Sequence, residues 1–274
     1  MGSRSVQWNT GLEQGGRMTD SERNGASTTE RVADILLAFA EGERLGVSEL
    51  ARRVSLSKAV VHRILQTLVH RSLLRYNGGT RDYSLGVAAI GLSRASTRQN
   101  ELHAAAAPVI ARLSSATGET TILSQRQGYR RFYIDQVESA QPIRITIAVG
   151  GSYPITVGAS GLAMLAFLPD ADLDAALSLP LERFTERTTV EVDALRERLV
   201  QIREQGWART AGERVAEATS IAAPVLDEDG SPIGSLSAAY LTSRFSEEAA
   251  NDLARLVKDA GADATTRYRQ LRAI

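Results

Sequence analysis

Cysteine is absent from the 274 residues. That excludes a disulfide scaffold, a thiolate zinc site and a cysteine nucleophile, and it suits a reducing compartment such as the cytoplasm. Long apolar runs are missing too: residues 162–168, the longest near the middle, fall far short of the ~18 that span a bilayer. No membrane partner is therefore expected, and the N-terminus shows no apolar core of a secretion signal. The common catalytic signatures are absent as well. There is no Walker loop, no Gly-x-Gly-x-x-Gly after a strand and no His-Glu-x-x-His. Ser160 sits in Gly158-Ala159-Ser160-Gly161, which lacks the spacing of a nucleophile elbow, and His103 stands far from it in sequence. His62 and His70 lack a third ligand, and the acids Asp227, Glu228 and Asp229 fall in a turn, where solvated acids belong. No metal or cofactor is expected, and no enzyme.

What is present divides unevenly. The net charge is zero (32 basic, 32 acidic), yet residues 47–94 hold eight Arg/Lys against two Asp/Glu, an excess of six. From residue 98 onward nineteen basic residues face twenty-three acidic ones. A basic N-terminal third on an acidic remainder is the footprint of a polyanion-binding module joined to something else, although charge alone also fits chance in an Arg-rich chain. The length is comfortable for two domains.

Residues 1–28, rich in Gly, Ser, Thr, Asn and Gln, read as a disordered arm, with Met18 a candidate start. Val32, Ile35, Leu36 and Phe39 then follow the i, i+3, i+4, i+7 stripe of a helix, ended by Gly42. A second helix begins at Ser48 as its N-cap. Four residues separate it from a third, which Ser57 caps and Val61, Ile64, Leu65 and Leu68 anchor. Leu73–Tyr76 and Arg81–Leu85 flank Asn77-Gly78-Gly79, the mark of a hairpin whose two turn residues need positive φ. Helix, short helix, tight turn, helix and hairpin make a winged helix-turn-helix over residues 29–85. At about 100° per residue, the third helix turns Ala59, His62, Arg63, Gln66, Thr67 and His70 away from its apolar stripe. That face carries donors and acceptors suited to base edges and no acid. Lys58, in the first turn, is placed for a phosphate. A plain solvated face is the alternative.

Residues 86–100 read as a linker helix of small residues with Val87, Ile90 and Leu92 as apolar anchors, suited to pairing with a second subunit or to a solvated tether. Beyond it, residues 101–274 show a helix to Gly118, strands over 120–125 and 131–137, and an alternating strand at Ile143, Ile145 and Ile147. A helix opens at Ser160-Gly161 and stops at Pro169; another, with Leu195, Leu199 and Ile202, ends at Gly206. A hairpin turns at residues 227–230, and Ser246 caps a long last helix. Hairpins with helices at intervals, and no βαβ alternation, argue an α+β domain on a mostly antiparallel sheet.

Both halves resemble the IclR family of bacterial transcriptional regulators. The resemblance is carried by Arg31-Val32-Ala33-Asp34-Ile35-Leu36, by residues 56–65 (Leu-Ser-Lys-Ala-Val-Val-His-Arg-Ile-Leu), and by Tyr83-Ser84-Leu85-Gly86. It continues through Pro154, residues 159–166, Gly206-Trp207, Glu213, residues 220–225 and Gly234-Ser235-Leu236-Ser237. It implies a DNA-binding domain, a linker helix and a GAF-like effector-binding domain, in a homodimer or tetramer on a palindromic double-stranded operator. The implied DNA contacts are Ser57, Lys58, Ala59, His62, Arg63, Gln66, Thr67 and Arg81. For the effector, a small organic acid or aromatic metabolite, the resemblance points to backbone N–H groups of Ala159 and Ser160 just before the helix. It adds the hydroxyls of Thr210, Ser220 and Ser237, with Ile145 and Ile155 as apolar walls. Thr210 stands where the glyoxylate-responsive kind has an acid, Ser220 where some members have a thiol, and Ala239 where a second hydroxyl would help. These departures point away from a very small oxoacid and toward a larger or more apolar ligand. Two other functions remain open at this stage: a small-molecule enzyme in the C-terminal domain, and a winged-helix scaffold for protein contact.

Overall fold

The computed structural model describes residues 27–40 and 43–273. The arm expected over 1–28 lies outside the described residues as far as position 26, and so does Gly42. The described chain folds as two compact units divided between Gln99 and Asn100.

The first described helix starts at Thr28, one residue before Thr29. Ser27 caps helix α1 (Thr28–Leu37), accepting from the Glu30 backbone N–H at 3.2 Å, while the Glu30 carboxylate returns to the Ser27 N–H in a capping box. Helix α2 (Val47–Arg53) starts one residue before Ser48 and is capped by the extended backbone of Gly46, without a side-chain bond. The reason lies next door: Leu45 pairs with Tyr83 as an isolated bridge, which fixes the chain's entry into α2. A turn closed by Leu56 N–H on Ala51 O at 3.0 Å leads to α3 (Lys58–His70), where Ser57 Oγ accepts from Val60 N–H. Leu50, Val61, Leu65 and Tyr83 close one core with Ile35 and Phe39.

Strands β1 (Leu74–Asn77) and β2 (Asp82–Leu85) form the wing. The two-residue Asn-Gly turn does not form. Asn77 pairs with Asp82 inside the ladder, its carbonyl accepts from Arg81 N–H, and the positive φ falls on Arg81 (57°) rather than on Gly78 or Gly79. The i-to-i+4 bond closes a four-residue loop, so the strain moves to its last residue. Helix α4 (Val87–Gln99) follows, entered through Gly86, where a Cβ would lie 2.2 Å from Ser72 O. Val87, Ile90 and Leu92 do not anchor it, for they are 72%, 60% and 62% exposed and α4 buries no residue.

The second unit is a six-stranded antiparallel sheet in the order β5-β4-β3-β8-β7-β6. Its strands are β3 (Thr120–Gln127), β4 (Arg130–Val137), β5 (Ser152–Pro154), β6 (Ala208–Ala211), β7 (Ala218–Leu226) and β8 (Pro232–Leu241). Helices α5 (Glu101–Thr117) and α9 (Glu247–Arg272) bury Leu113, Leu253 and Val257 against Leu123 and Leu236 on one face. On the other, α6 (Gly158–Leu165) and α8 (Val192–Gln205) pack Leu162, Leu165, Leu195 and Leu199 against Ala208 and Ala222. Alternation along β3 serves both: Leu123 faces the first core and Ile122 the second side. The sheet with helices on both faces is an α+β domain.

Two local expectations give way. Residues 143–147 form no strand. Thr120 Oγ1 donates to Ile145 O at 2.6 Å, and Gln136 bonds both the N–H and the C=O of Ile147, so side chains take the bonds a neighbouring strand would have made. Helix α6 begins at Gly158, two residues early, and Pro169 caps the following helix α7 (Asp170–Leu177). Every residue of α6 is buried. Its seat depends on Gly161, where a Cβ would lie 2.5 Å from Ile155 O. Gly161→Ala is expected to destabilise the chain by ~1–3 kcal/mol, the range for overpacking a close contact, read as a lower denaturation midpoint. An unchanged midpoint would mean that α6 can shift at no cost.

Candidate functional site

Helix α3 has two unlike sides. Val61, Ile64, Leu65 and Leu68 are buried, whereas Ser57, Lys58, Ala59, His62, Arg63, Gln66, Thr67 and His70 are all exposed. The Thr67 hydroxyl donates back to Arg63 O at 3.2 Å, and no acid lies on the helix. The neighbouring helix differs: Arg52 pairs with Glu49 at 2.7 Å, and Arg53 with Glu43 at 2.8 Å and Glu49 at 2.9 Å. Among the described residues Lys58, Arg63 and Arg81 make no ion pair. Arg81 is exposed at the end of the wing loop. Among the described residues Glu43 and Glu49 pair with α2's own arginines, while the cations of α3 pair with no acid.

The second unit holds a cavity of about 30 Å³, measured at the centre of a water-sized sphere. By the usual requirement of ~10–15 Å³ per water on this measure, it holds about two waters. The start of α6 (Gly158, Ala159, Ser160) faces Thr210 of β6, Ser220 of β7 and Ser237 of β8 across it. Five of the residues expected at the effector thus line one space: Ala159, Ser160, Thr210, Ser220 and Ser237. Their bonding differs from expectation, because Ala159 and Ser160 lie inside the first turn of α6 and not before it. The Ala159 N–H already donates to Thr210 Oγ1 at 3.1 Å, and Ser160 Oγ bonds Ser237 Oγ at 3.1 Å. Ile145 and Ile155 do not line the cavity. Ile155 packs with the α6–α8 core and Ile145 lies in the layer behind, so Ile122 and Ile147 supply the apolar wall.

The cavity's far side was not anticipated. It is formed by Arg131, Tyr133, Glu213 and Arg214. Arg131 is 1% exposed, and its Nε and Nη1 have no hydrogen-bond partner among the described residues. Its guanidinium stacks over the rings of Tyr133 (4.7 Å) and Tyr153 (5.2 Å), and that of Arg214 over the same rings at 5.4 Å and 4.1 Å. Burial pushes the Arg214 pKa down, and repulsion from Arg131 adds to that, against an opposing pull from Tyr133. Burial also raises the Tyr133 hydroxyl, but the two cations outweigh it and hold the group below its ordinary value. Glu213 is buried, with its carboxylate on Arg198 at 2.7 Å; desolvation raises its pKa more than Arg198 lowers it. One signal for Arg131 was present in the sequence. In a strand of period two, Arg131 and Tyr133 share a face, and that face is the inward one.

Comparison with known proteins places both units. Residues 28–78 match the family described as "IclR helix-turn-helix domain", and residues 94–266 match "Bacterial transcriptional regulator IclR C-terminal". The chain is 32% identical over 233 residues to the HTH-type transcriptional regulator BhcR of Paracoccus denitrificans, covering 85% of this chain and 84% of that one. It is 31% identical over 230 residues to KdgR of Escherichia coli, covering 84% and 88%. The fold is shared with an IclR transcriptional regulator of Alicyclobacillus acidocaldarius (TM-score 0.79, 24% identity, 88% and 98% covered). It is shared also with an IclR homolog of Microbacterium hydrocarbonoxydans complexed with 4-hydroxybenzoate (TM-score 0.76, 24% identity, 90% and 100% covered).

The Glu213–Arg198 pair generates a pH test. Arg198→Met leaves a buried carboxylate without its cation, so stability at neutral pH is expected to fall by ~1–3 kcal/mol, less than for a fully buried pair because Arg198 is partly exposed. A carboxyl whose folded pKa is raised favours the fold most when protonated. The loss should therefore shrink as pH falls towards about 5. A loss independent of pH between 5 and 8 would show that the effect comes from packing and not from charge.

Proposed function

Since the chain belongs to the IclR family of bacterial transcriptional regulators, we propose that α3 is its recognition helix and that a small carboxylate in the cavity modulates operator binding. The observation that carries this reading is the acid-free, exposed face of α3, whose Lys58 and Arg63 have no counter-charge among the described residues. Lys58, beside the free N–H groups at the start of α3, takes a phosphate; Arg63, one turn on, faces the base edges with His62, Gln66 and Thr67. Arg81 reaches a flanking phosphate or the minor groove from the wing. The protein works as a homodimer or a pair of dimers, since two recognition helices one DNA turn apart read a symmetric operator. Val87 and Ile90, three residues apart and bare on α4, suit the subunit contact. It acts in the cytoplasm and carries out no catalysis.

For the effector, the polar start of α6 and the two arginines support a carboxylate. The cavity's size and charge favour a small, polar acid over the larger or more apolar one that Thr210, Ser220 and Ala239 suggested. An aromatic acid such as the 4-hydroxybenzoate of the Microbacterium hydrocarbonoxydans protein needs the cavity to widen. Whatever binds shifts the protein's conformations only by its differential affinity for them.

DNA binding is tested on an operator selected in vitro from random duplexes, followed by fluorescence anisotropy. Arg63→Ala is expected to cost ~1–3 kcal/mol and to relax base choice at one position. Lys58→Ala should weaken all sequences alike and lower the salt slope by about one. If both variants bind as the parent does, α3 is not the recognition helix.

A further inference from the structure

The Asn77-Gly78 pair at the tip of the wing does not make the tight turn it signals, because the Arg81 N–H closes a longer loop on the Asn77 carbonyl at 2.8 Å. Its geometry fits another chemistry. Asn77, Gly78 and Gly79 are all exposed, so water reaches the loop from Asn77 onward. The Gly79 N–H donates to Asn77 Oδ1 at 3.0 Å, which folds the carboxamide back over the Gly78 amide between them. That bond draws electron density from Cγ and is placed to hold an oxyanion forming on Oδ1. Among the described residues the loop's backbone bonds are donated by Gly79 and Arg81, and the Gly78 N–H is not spent in them. Gly78 has no Cβ to shield its nitrogen, and the atom nearest to one built there is Tyr76 Cε1 at 4.0 Å.

We infer that Asn77 is a site of spontaneous deamidation, and that the carboxylate it gains loosens the wing's hold on DNA. The Gly78 N–H gives its proton to solvent base, and the nitrogen bonds to Cγ of Asn77. The tetrahedral intermediate collapses by breaking the bond from Cγ to the side-chain nitrogen, which takes a proton and leaves as ammonia. Water then opens the five-membered imide at either carbonyl carbon, leaving an aspartate or an isoaspartate at position 77. No electrons are exchanged, and water is the co-reactant. Either product adds a negative charge. Arg75 and Arg81 against Asp82 give residues 74–85 a net charge of +1, which falls to zero. An aspartate would also stand directly opposite Asp82 in the ladder, where like charges repel. An isoaspartate adds a carbon to the backbone that this pair aligns. The effect on DNA rests on the reading of the first unit given above; the chemistry does not.

The full chain is held in mildly alkaline and in mildly acidic buffer, sampled over time and cut with trypsin. Cleavage after Arg75 and Arg81 releases residues 76–81. Cleavage after Arg23 and Arg31 releases residues 24–31, which hold the chain's second Asn-Gly pair, Asn24-Gly25, as a reference within the same molecule. Mass spectrometry reads conversion at each as replacement of NH2 by OH. Asn77 is expected to convert at least as fast as Asn24, and faster in the alkaline buffer. Gly78→Ala, which the open space around Gly78 accommodates, should slow it several-fold. Asn77→Asp keeps an acceptor for the Gly79 N–H, and the charge it adds near the phosphates should weaken binding of the selected operator about three-fold or more. The parent's affinity should fall in step with conversion, while that of Asn77→Gln holds. Slower conversion at Asn77 than at Asn24 would show that the ladder shields the site and overturns the assignment. Conversion with operator affinity unchanged overturns its consequence. Neither result touches the recognition-helix reading, which stands or falls on Lys58→Ala and Arg63→Ala.

Discussion

Helix α6 is the constraint on which the second unit depends. It is short and wholly buried, held against the Ile155 carbonyl by a glycine and started by another in the left-handed region. No polar outer face holds it in register with solvent; backbone contact and two hydroxyl bonds do so, Thr210 to Ala159 and Ser237 to Ser160. Because those bonds reach β6 and β8, the helix end and the hydroxyls are fixed relative to one another. Pre-organisation of this kind reduces the ordering that binding would otherwise require.

The same economy of charge runs through both units in opposite senses. In the first, Glu43 and Glu49 absorb Arg52 and Arg53, and the cations of α3 are left bare on the surface, where water solvates them at little cost. In the second, Arg131 and Arg214 lie buried against the rings of Tyr133 and Tyr153, where taking a cation out of water is costly. Surface cations suit long-range attraction to a polyanion.

Much of this was legible in the sequence, for identifiable reasons. The stripe Val61, Ile64, Leu65, Leu68 placed α3 and its outer face, because helical period and burial agree there. Ser57 and Ser246 marked true N-caps, and Gly118 and Gly206 true left-handed C-caps. The failures share a cause, namely long-range partners that override local pattern. Ile143, Ile145 and Ile147 alternate like a strand, but Thr120 and Gln136 occupy the segment's hydrogen bonds. Gly158, an unpromising residue to open a helix, does so with φ at +74°, in the left-handed region that glycine adopts without strain. The Asn-Gly pair signalled a tight turn, yet pairing of Asn77 with Asp82 moved the left-handed residue to Arg81. Arg131 itself was overlooked because an arginine in a strand is read as exposed. Its spacing from Tyr133 carried the contrary information.

The account's central claim is that the cavity and the α3 face are thermodynamically coupled, and a reciprocal titration tests it most directly. Operator affinity is measured with and without a saturating small carboxylate, and the affinity for that carboxylate with and without saturating operator. The two factors are predicted to be equal and well removed from one, within the ~5–150-fold range typical of coupled sites. Identical carboxylate affinity for free and operator-bound protein would contradict the claim, because two sites with no mutual effect on binding cannot form a switch.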